Sequence, residues 1–463
     1  MAGRPGGDQK DRRPAQGGGT RPAAGKPGGR ERTSGPGARP APARPAPQPG
    51  AARNPRSRRS RARATSPAPI KSAARKEALT AVGLLESYRP DMFRILDEAG
   101  APAFRYAQVV EHLFRRPGTS LSEASALPED LRAALEKAGH STLRVAGTRK
   151  ASDGTTKLLL ASRDGCLTEA VSMPYGQRMT VCVSSQVGCA VGCAFCATGG
   201  MGFKRNLSAA EIVDQLRAAV AAAEPQQRLT NVVYMGMGEP LLNLGAVLES
   251  VRILTSPAGL GLGHRSLSIS TVGIPSGIVR LARAEPQVNL AVSLHAADDT
   301  TRALLIPEQF CRPIQDVLEA AWEHFAITRR KLLVEYVLLA GVNDSVDDAR
   351  RLAALLRGHV VAVNLLAWNP VQVGGGDASH LAGDGRETAQ GRARGSDAAS
   401  RQGPRTFLPS TPAAVAAFRS ALRDSHIEAV VRQSKGGGIE AACGQLAGSA
   451  RTYPDESAEP AVE

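Results

Sequence analysis

The most chemically loaded stretch of this 463-residue chain is Cys189-Ala-Val-Gly-Cys193-Ala-Phe-Cys196. Three thiolates spaced C-x3-C-x2-C can bind three irons of a cubic iron–sulfur cluster, leaving the fourth iron open to a small molecule. Such a cluster is a one-electron donor held beside its substrate. Two other readings stand next to it: a zinc site completed by Cys182 or Cys166, and a dithiol redox pair of Cys193 and Cys196. The spacing argues against zinc, whose structural sites normally use two well-separated ligand pairs. Two more cysteines stand out by position. Cys182 lies seven residues before the loop, at the end of an expected strand, and Cys443 follows three glycines, Gly436 to Gly438, that free its backbone. An isolated free cysteine is most often a small buried hydrophobe, and that reading is kept for Cys166 and Cys311. By themselves, the run Met235-Gly-Met-Gly-Glu-Pro240 is an ordinary strand-to-helix turn and His295 a core histidine.

These residues need a frame. Apolar residues recur at helical spacing from Leu79 through Leu85, Met92 and Leu96 to Phe114, with Pro102 and Pro117 as breaks, so 75–140 reads as a small helical accessory domain. From about 142 the period becomes two. Asp153-Gly154 signals a hairpin, and Thr156–Ser162, Leu167–Met173 and Met179–Ser184 read as strands. Residues 141–180 thus form a β-hairpin connector to a core at 181–447. In that core, candidate strands at 231–235, 266–271, 288–294, 332–339, 360–367 and 427–432 alternate with candidate helices at 208–223, 244–256, 275–284, 313–328, 345–357 and 412–426. Alternation of this kind implies βαβ units around a parallel sheet, and the fold class is α/β, a partial or full β/α barrel.

Composition separates this frame from three other segments. Residues 1–70 hold 16 Lys/Arg, 3 Asp/Glu and 25 Gly plus Pro, with no Val, Leu, Phe, Tyr or Trp. They carry most of the +15 net charge, cannot bury enough apolar surface to offset chain entropy, and read as a disordered basic tail over 1–74. Residues 372–405 contain eight Gly and no aromatic residue, a disordered insertion by composition, and 448–463 is a polar tail. No apolar run reaches the roughly 18 residues of a membrane span. No secretory leader is evident, and the cysteines are not a disulfide framework, so a reducing, intracellular setting is expected.

At this point the chain resembles the radical S-adenosylmethionine (SAM) enzymes, in particular the RNA methyltransferases of the RlmN/Cfr type that methylate an adenine ring carbon. The resemblance is carried by Val181-Cys-Val-Ser-Ser-Gln-Val-Gly-Cys189, Gly202-Phe-Lys-Arg-Asn-Leu207, Met235-Gly-Met-Gly-Glu-Pro240, Ser293-Leu-His295, Trp368-Asn-Pro370 and Ala441-Ala-Cys-Gly-Gln-Leu-Ala-Gly448. It implies that Cys189, Cys193 and Cys196 hold a 4Fe-4S cluster. It sets SAM against Gly238, Glu239, Ser270, Ser293, Leu294, His295 and Asn369. It makes Cys443 the methyl carrier, Cys182 the thiol that resolves the adduct, and Glu169 the proton acceptor.

The chemistry explains the sulfur. Adenine C2 is electron-poor and does not attack a methyl sulfonium. In this family a first SAM methylates the cysteine, and a radical made from a second SAM activates that methyl for addition to the ring. A Cys182–Cys443 disulfide then releases the product, and external thiols reduce it. The implied partners are large-subunit ribosomal RNA, with transfer RNA as a second substrate, and an electron donor such as flavodoxin or ferredoxin. The implied form is a monomer without membrane attachment, cytoplasmic, or organellar if the chain is eukaryotic. Candidate RNA contacts are Lys204-Arg205, Arg329-Arg330-Lys331 and Arg432 to Lys435, with the basic tail adding salt-sensitive phosphate binding. Methylation at C8 is the nearest rival. A noncatalytic cluster- or zinc-bearing RNA-binding protein is a second, which the presence of both Cys182 and Cys443 disfavours. One departure is notable: the family usually has Thr-Arg-Gly-Asp-Asp-Ile where this chain has Ser434-Lys-Gly-Gly-Gly-Ile439, losing two acids.

Overall fold

The computed structural model describes residues 69–370, 407–432 and 435–447. The expectations for the basic tail up to 68, the 372–405 insertion and the tail from Gly448 lie outside the described residues. Among the described residues no helix is long and apolar enough to cross a membrane.

Four helices open the chain: α1 (Pro69–Tyr88), α2 (Pro90–Glu98), α3 (Ala103–Arg115) and α4 (Glu129–Ala138). The first starts six residues earlier than its apolar spacing suggests. Prolines set the boundaries: Pro90 begins α2, and Pro102 and Pro128 stand at the N-caps of α3 and α4. The spaced apolar residues Leu85, Met92, Leu96, Val109 and Leu113 are fully buried together.

The period-two region forms β1 (Leu143–Lys150), β2 (Thr156–Ser162), β3 (Leu167–Tyr175) and β4 (Arg178–Cys182), each antiparallel to the one before. Gly154 turns the first hairpin with φ 82°, and the Asp153 carboxylate accepts the Thr155 N–H at 2.9 Å. After β5 (Gln186–Gly188), α5 (Ala197–Gly200) and β6 (Phe203–Asn206), helices and strands alternate. They are α6 (Ala209–Ala221), β7 (Arg228–Tyr234), α7 (Leu244–Thr255), β8 (Leu267–Thr271), α8 (Pro275–Ala284), β9 (Asn289–Ser293), α9 (Asp299–Leu305), α10 (Ile314–Thr328), β10 (Leu332–Leu338), α11 (Val346–Leu356), β11 (Val361–Ala367), α12 (Pro412–Asp424) and β12 (Glu428–Arg432).

One ten-stranded sheet results, in the order β1-β2-β3-β4-β7-β8-β9-β10-β11-β12. Its strands from β4 onward are mutually parallel. This is the expected partial β/α barrel, with β1 and β12 as its edges among the described residues. The hairpin connector continues the sheet, and β4 spans its expected boundary with the core. Alternation sorts the side chains: Val334, Tyr336 and Leu338 of β10 enter the main core, whereas Glu335 and Val337 point to the lumen side.

A buried polar knot fastens the accessory helices to this barrel. Asp214 and Arg217 on α6 pair at 2.7 Å; Tyr88 of α1 donates to Asp214, and Thr142 donates to it through both N–H (2.6 Å) and hydroxyl (2.7 Å). Arg217 also reaches the carbonyls of Leu113 and His140. With every partner satisfied, the charges are tolerated out of water. Burial opposes the Asp214 charge, but Arg217 and these donors outweigh it and hold the carboxyl below its usual range.

Candidate active site

The three-cysteine loop joins β5 to α5 and is shaped by two glycines. Gly188 has φ 73°, and a Cβ there would lie 1.9 Å from the Gly202 carbonyl oxygen; a Cβ on Gly199 would lie 2.5 Å from the Cys193 carbonyl. Around them the backbone folds tightly: Cys189 N–H donates to Gly202 (3.0 Å), Cys196 N–H to Cys193 (3.2 Å) and Ala194 N–H to Leu305 at the end of α9 (2.9 Å). Trp368 donates its indole N–H to the Phe195 carbonyl at 2.9 Å, and the Phe195 ring meets His295 edge-on at 4.8 Å.

The loop thiols stand close enough to oppose each other's ionisation. Burial pushes Cys189 up to about 11, with further pushes from Cys196 and Glu239, and drives Cys193 well above a free thiol. Among the described residues no three His, Cys, Asp or Glu side chains converge on one ion. Cys166 sits in the β2–β3 turn against the main core, not with the loop. Three soft thiol donors in one tight loop are the donor type of a multi-iron cluster, in which each sulfur takes a different metal and cations offset the crowded thiolates.

Next to this loop stand the ends of the parallel strands. Glu239, four residues beyond Met235, is buried, and its carboxylate accepts the N–H groups of Leu241 (2.9 Å) and Val272 (2.8 Å), tying the turn after β7 to the end of β8. Burial raises its pKa to about 7. Gly238 has φ 99° and its Cβ would strike Gln186, so glycine is required there. Ser270 on β8 and Ser293 on β9 share a hydrogen bond at 2.9 Å. His295 adopts φ 60° and is buried; its Nδ1 accepts the Val337 N–H at 3.1 Å, which leaves Nε2 to carry the proton. Burial, reinforced by Arg302, lowers its pKa to about 3, so the ring is neutral. Asn369 lies half-buried two residues past β11. Leu294 differs: its side chain is fully buried in the main core, its N–H donates to Glu335, and its carbonyl accepts from Arg302.

The segment after β12 completes the wall. Lys435 reaches Asp153 at 3.8 Å and lies over the Tyr175 ring, and Gly436 fits with φ 65° where a Cβ would strike Ala441 and Thr155. From there the chain crosses β2 and β3. Ile439, Ala441 and Leu446 pack with Cys182, Val171 and Met237. Ala197 and Thr198 of α5 donate to the carbonyls of Gly444 (2.7 Å) and Leu446 (2.6 Å). Cys443 on this segment is exposed and lies near enough to Cys182 and the loop cysteine Cys196 to feel the charge of both. The surrounding protein raises its pKa, with added pushes from Cys182, Cys196 and Glu335. Cys182 is buried, and burial pushes it up to about 12. All seven cysteines are free thiols. Cys311 is half-buried beside Arg302.

Glu169 lies on β3 two residues before Val171, the partner of Cys182 in the β3–β4 ladder, so Glu169 and Cys182 share a sheet face. It is fully buried, with Lys157 Nζ at 3.1 Å from one oxygen and the Ala447 N–H donating to the other at 2.8 Å. Lys157 was not among the residues singled out in the sequence. The available signal was a lone charge inside the apolar strand Lys157-Leu-Leu-Leu160.

The basic stretches fare differently from expectation. Arg205 is an internal brace, held by Asp164, Glu211 and Ser162. Arg329 to Lys331 precede β10, at the end of the sheet opposite the cysteines, where Lys331 pairs with Glu428. Arg432 donates to Asn364 at 3.2 Å.

Residues 183–353 match the Radical SAM superfamily. The chain is 40% identical over 358 residues to the dual-specificity RNA methyltransferase RlmN of Syntrophobacter fumaroxidans, covering 77% of this chain and 95% of that protein. It is 41% identical over 362 residues to a probable RlmN of Thermus thermophilus, covering 78% and 93%. A crystal structure of a radical SAM methyltransferase from Sphaerobacter thermophilus superposes with a TM-score of 0.67 at 39% identity, over 76% of this chain and 96% of that one. The chain belongs to the RlmN family of radical SAM RNA methyltransferases, which carry a 4Fe-4S cluster and use S-adenosylmethionine.

Proposed function

We propose that this enzyme methylates C2 of an adenine in large-subunit ribosomal RNA and in transfer RNA, with Cys443 as the methyl acceptor. The observation that carries the reading is that Cys443 sits within electrostatic reach of both Cys182 and Cys196, on a segment bonded to α5 directly after the three-cysteine loop. The dual-specificity name of the relatives supports two RNA substrates.

Cys189, Cys193 and Cys196 would hold the cluster, whose chemistry when bound is to donate the electron that cleaves S-adenosylmethionine to a carbon radical. Glu239, Ser270, Ser293, His295 and Asn369, with the Gly238 backbone, would bind the sulfonium cofactor: Glu239 offers a carboxylate to its amino group, and the serines and neutral His295 offer hydrogen bonds to uncharged groups. Leu294 contributes only as packing behind them.

Cys443 takes a methyl group as thiolate and presents it to the base. Cys182, as thiolate, then bonds to the Cys443 sulfur; the bond from that sulfur to the transferred carbon breaks with its electron pair staying on the base, which takes up a proton to complete the methyl group, and the resulting disulfide is reduced by external thiols. Glu169 accepts the ring proton in this reading, after exchanging one of the partners it holds in the closed site. The target base must be unstacked to come within reach. A flavodoxin- or ferredoxin-like electron donor and action as a cytoplasmic monomer belong to the same reading.

Anaerobic turnover of the reconstituted enzyme with methyl-labelled S-adenosylmethionine and each RNA, followed by nucleoside mass spectrometry, tests it. Label in 2-methyladenosine from both substrates is expected. Label in 8-methyladenosine alone would replace the reading.

A further inference from the structure

A lysine that is 1% exposed is unusual, and Lys157 is so placed with the Glu169 carboxylate and the Glu440 carbonyl at its ammonium. On β2 it pairs with Val171 of β3, which pairs with Cys182 of β4. Lys157, Val171 and Cys182 therefore stand in one row across the inner face of the sheet, with Glu169 the next inward residue of β3. From that row Lys157 Nζ lies 3.1 Å from the Glu169 carboxylate and donates to the Glu440 carbonyl at 3.3 Å. Glu440 has φ 54°, a left-handed backbone rarely held by a residue with a Cβ, which turns its carbonyl toward the lysine. The other oxygen of Glu169 accepts the Ala447 N–H at 2.8 Å. Glu440 precedes Cys443 by three residues and Ala447 follows it by four. One buried ion pair thus grips the cysteine segment on both sides of the reactive sulfur.

We infer that Lys157 is a positioning residue: through Glu169 and the Glu440 carbonyl it clasps the 440–447 segment and holds the Cys443 thiol at Cys182. The ion pair fixes the side of the segment that faces β2 and β3, while the α5 donors Ala197 and Thr198 fix the side that faces the cluster loop. Release of the clasp frees the 440–447 segment and lets the Cys443 thiol move away from Cys182 and Cys196, where a reagent meets it more readily. The clasp itself does not depend on what Cys443 does; its consequence for turnover rests on the methyl-acceptor reading.

The test is carried out anaerobically on cluster-loaded full-length protein. Alkylation of Cys443 by iodoacetamide is followed by peptide mass spectrometry, and amide hydrogen exchange over 440–447 is measured in parallel. Lys157→Met should speed alkylation about fivefold or more and speed exchange across the segment, with iron content unchanged. Lys157→Arg, which keeps a cationic donor, should stay within about twofold of the parent. Lys157→Met removes a cation from beside buried Glu169, so a second variant, Lys157→Met with Glu169→Gln, removes both charges and protects the measurement against a folding failure. It should show the same acceleration, and an unchanged alkylation rate in this folded double variant overturns the clasp. Faster alkylation with lost methylation supports clasp and reading together. Faster alkylation with full methylation supports the clasp and counts against Cys443 as methyl acceptor, whereas unchanged alkylation with lost methylation counts against the clasp alone.

Discussion

A cysteine that acts as a nucleophile carries its reactivity in its ionisation. Here the surrounding protein and its neighbours Cys182, Cys196 and Glu335 all push Cys443 toward the neutral thiol, so a cation must be supplied before it can attack. Without added S-adenosylmethionine, alkylation of Cys443 at pH 8 should be slower than that of a free cysteine. Timed alkylation with peptide mass spectrometry checks this; a rate that levels off below pH 8.5 would contradict the assigned environment. The three loop cysteines could be read in the sequence because their chemistry is a matter of short spacing in one loop. Leu294 could not be read as well: within Ser293-Leu-His295 nothing in the motif says that the middle side chain turns into the core. Lys157 was hidden for a related reason, since Glu169 comes from β3 and the Glu440 carbonyl from the far end of the chain.

Elements were legible where periodicity is local. The expected barrel strands and helices form within a few residues of their predicted bounds, whereas α9, only seven residues long, carried no periodic signal. Its stop and start are set instead by the Asp298 cap and by buried Arg302, which bonds three carbonyls from elsewhere. The knot on α6 was equally invisible, because Tyr88, Thr142, Asp214 and Arg217 come together only after folding. Asp214→Ala should cost about 3–5 kcal/mol by leaving Arg217 buried without its partner, and urea denaturation of the two proteins measures it. On α10, buried His324 is kept neutral: burial, then Arg330, lowers its pKa from 6.5 to about 4. The unfolded chain takes up that proton at higher pH than the folded one, so the contribution is intact above pH 6.5 and is lost as pH falls toward 4. At pH 5.5 the loss is about 1 kcal/mol. Urea midpoints at pH 7.5 and 5.5 should therefore drop less in His324→Leu than in the parent; equal drops would refute the assignment.

Across the whole molecule, the sheet order explains how residues from opposite ends of the barrel meet. The chain leaves β12 at one edge and crosses β2 and β3 near the other, which brings Cys443 to Cys182. The same view corrects the reading of charge. The described body is nearly balanced, and much of its basic side-chain chemistry is spent internally, as at Arg205, Arg217 and Arg302. Sequence names the basic runs but not which end of the barrel they occupy, and Arg329 to Lys331 stand just before β10, at the end opposite the cysteines. The central claim is that two cysteines divide one reaction, Cys443 joining the base and Cys182 releasing it. Denaturing gels of each variant after anaerobic incubation with labelled RNA and S-adenosylmethionine test it most directly. Cys182→Ala should accumulate RNA covalently bound through Cys443, whereas Cys443→Ala should form no such band and no methylated base. Absence of a trapped species in Cys182→Ala, with equal residual methylation in both variants, would contradict the account.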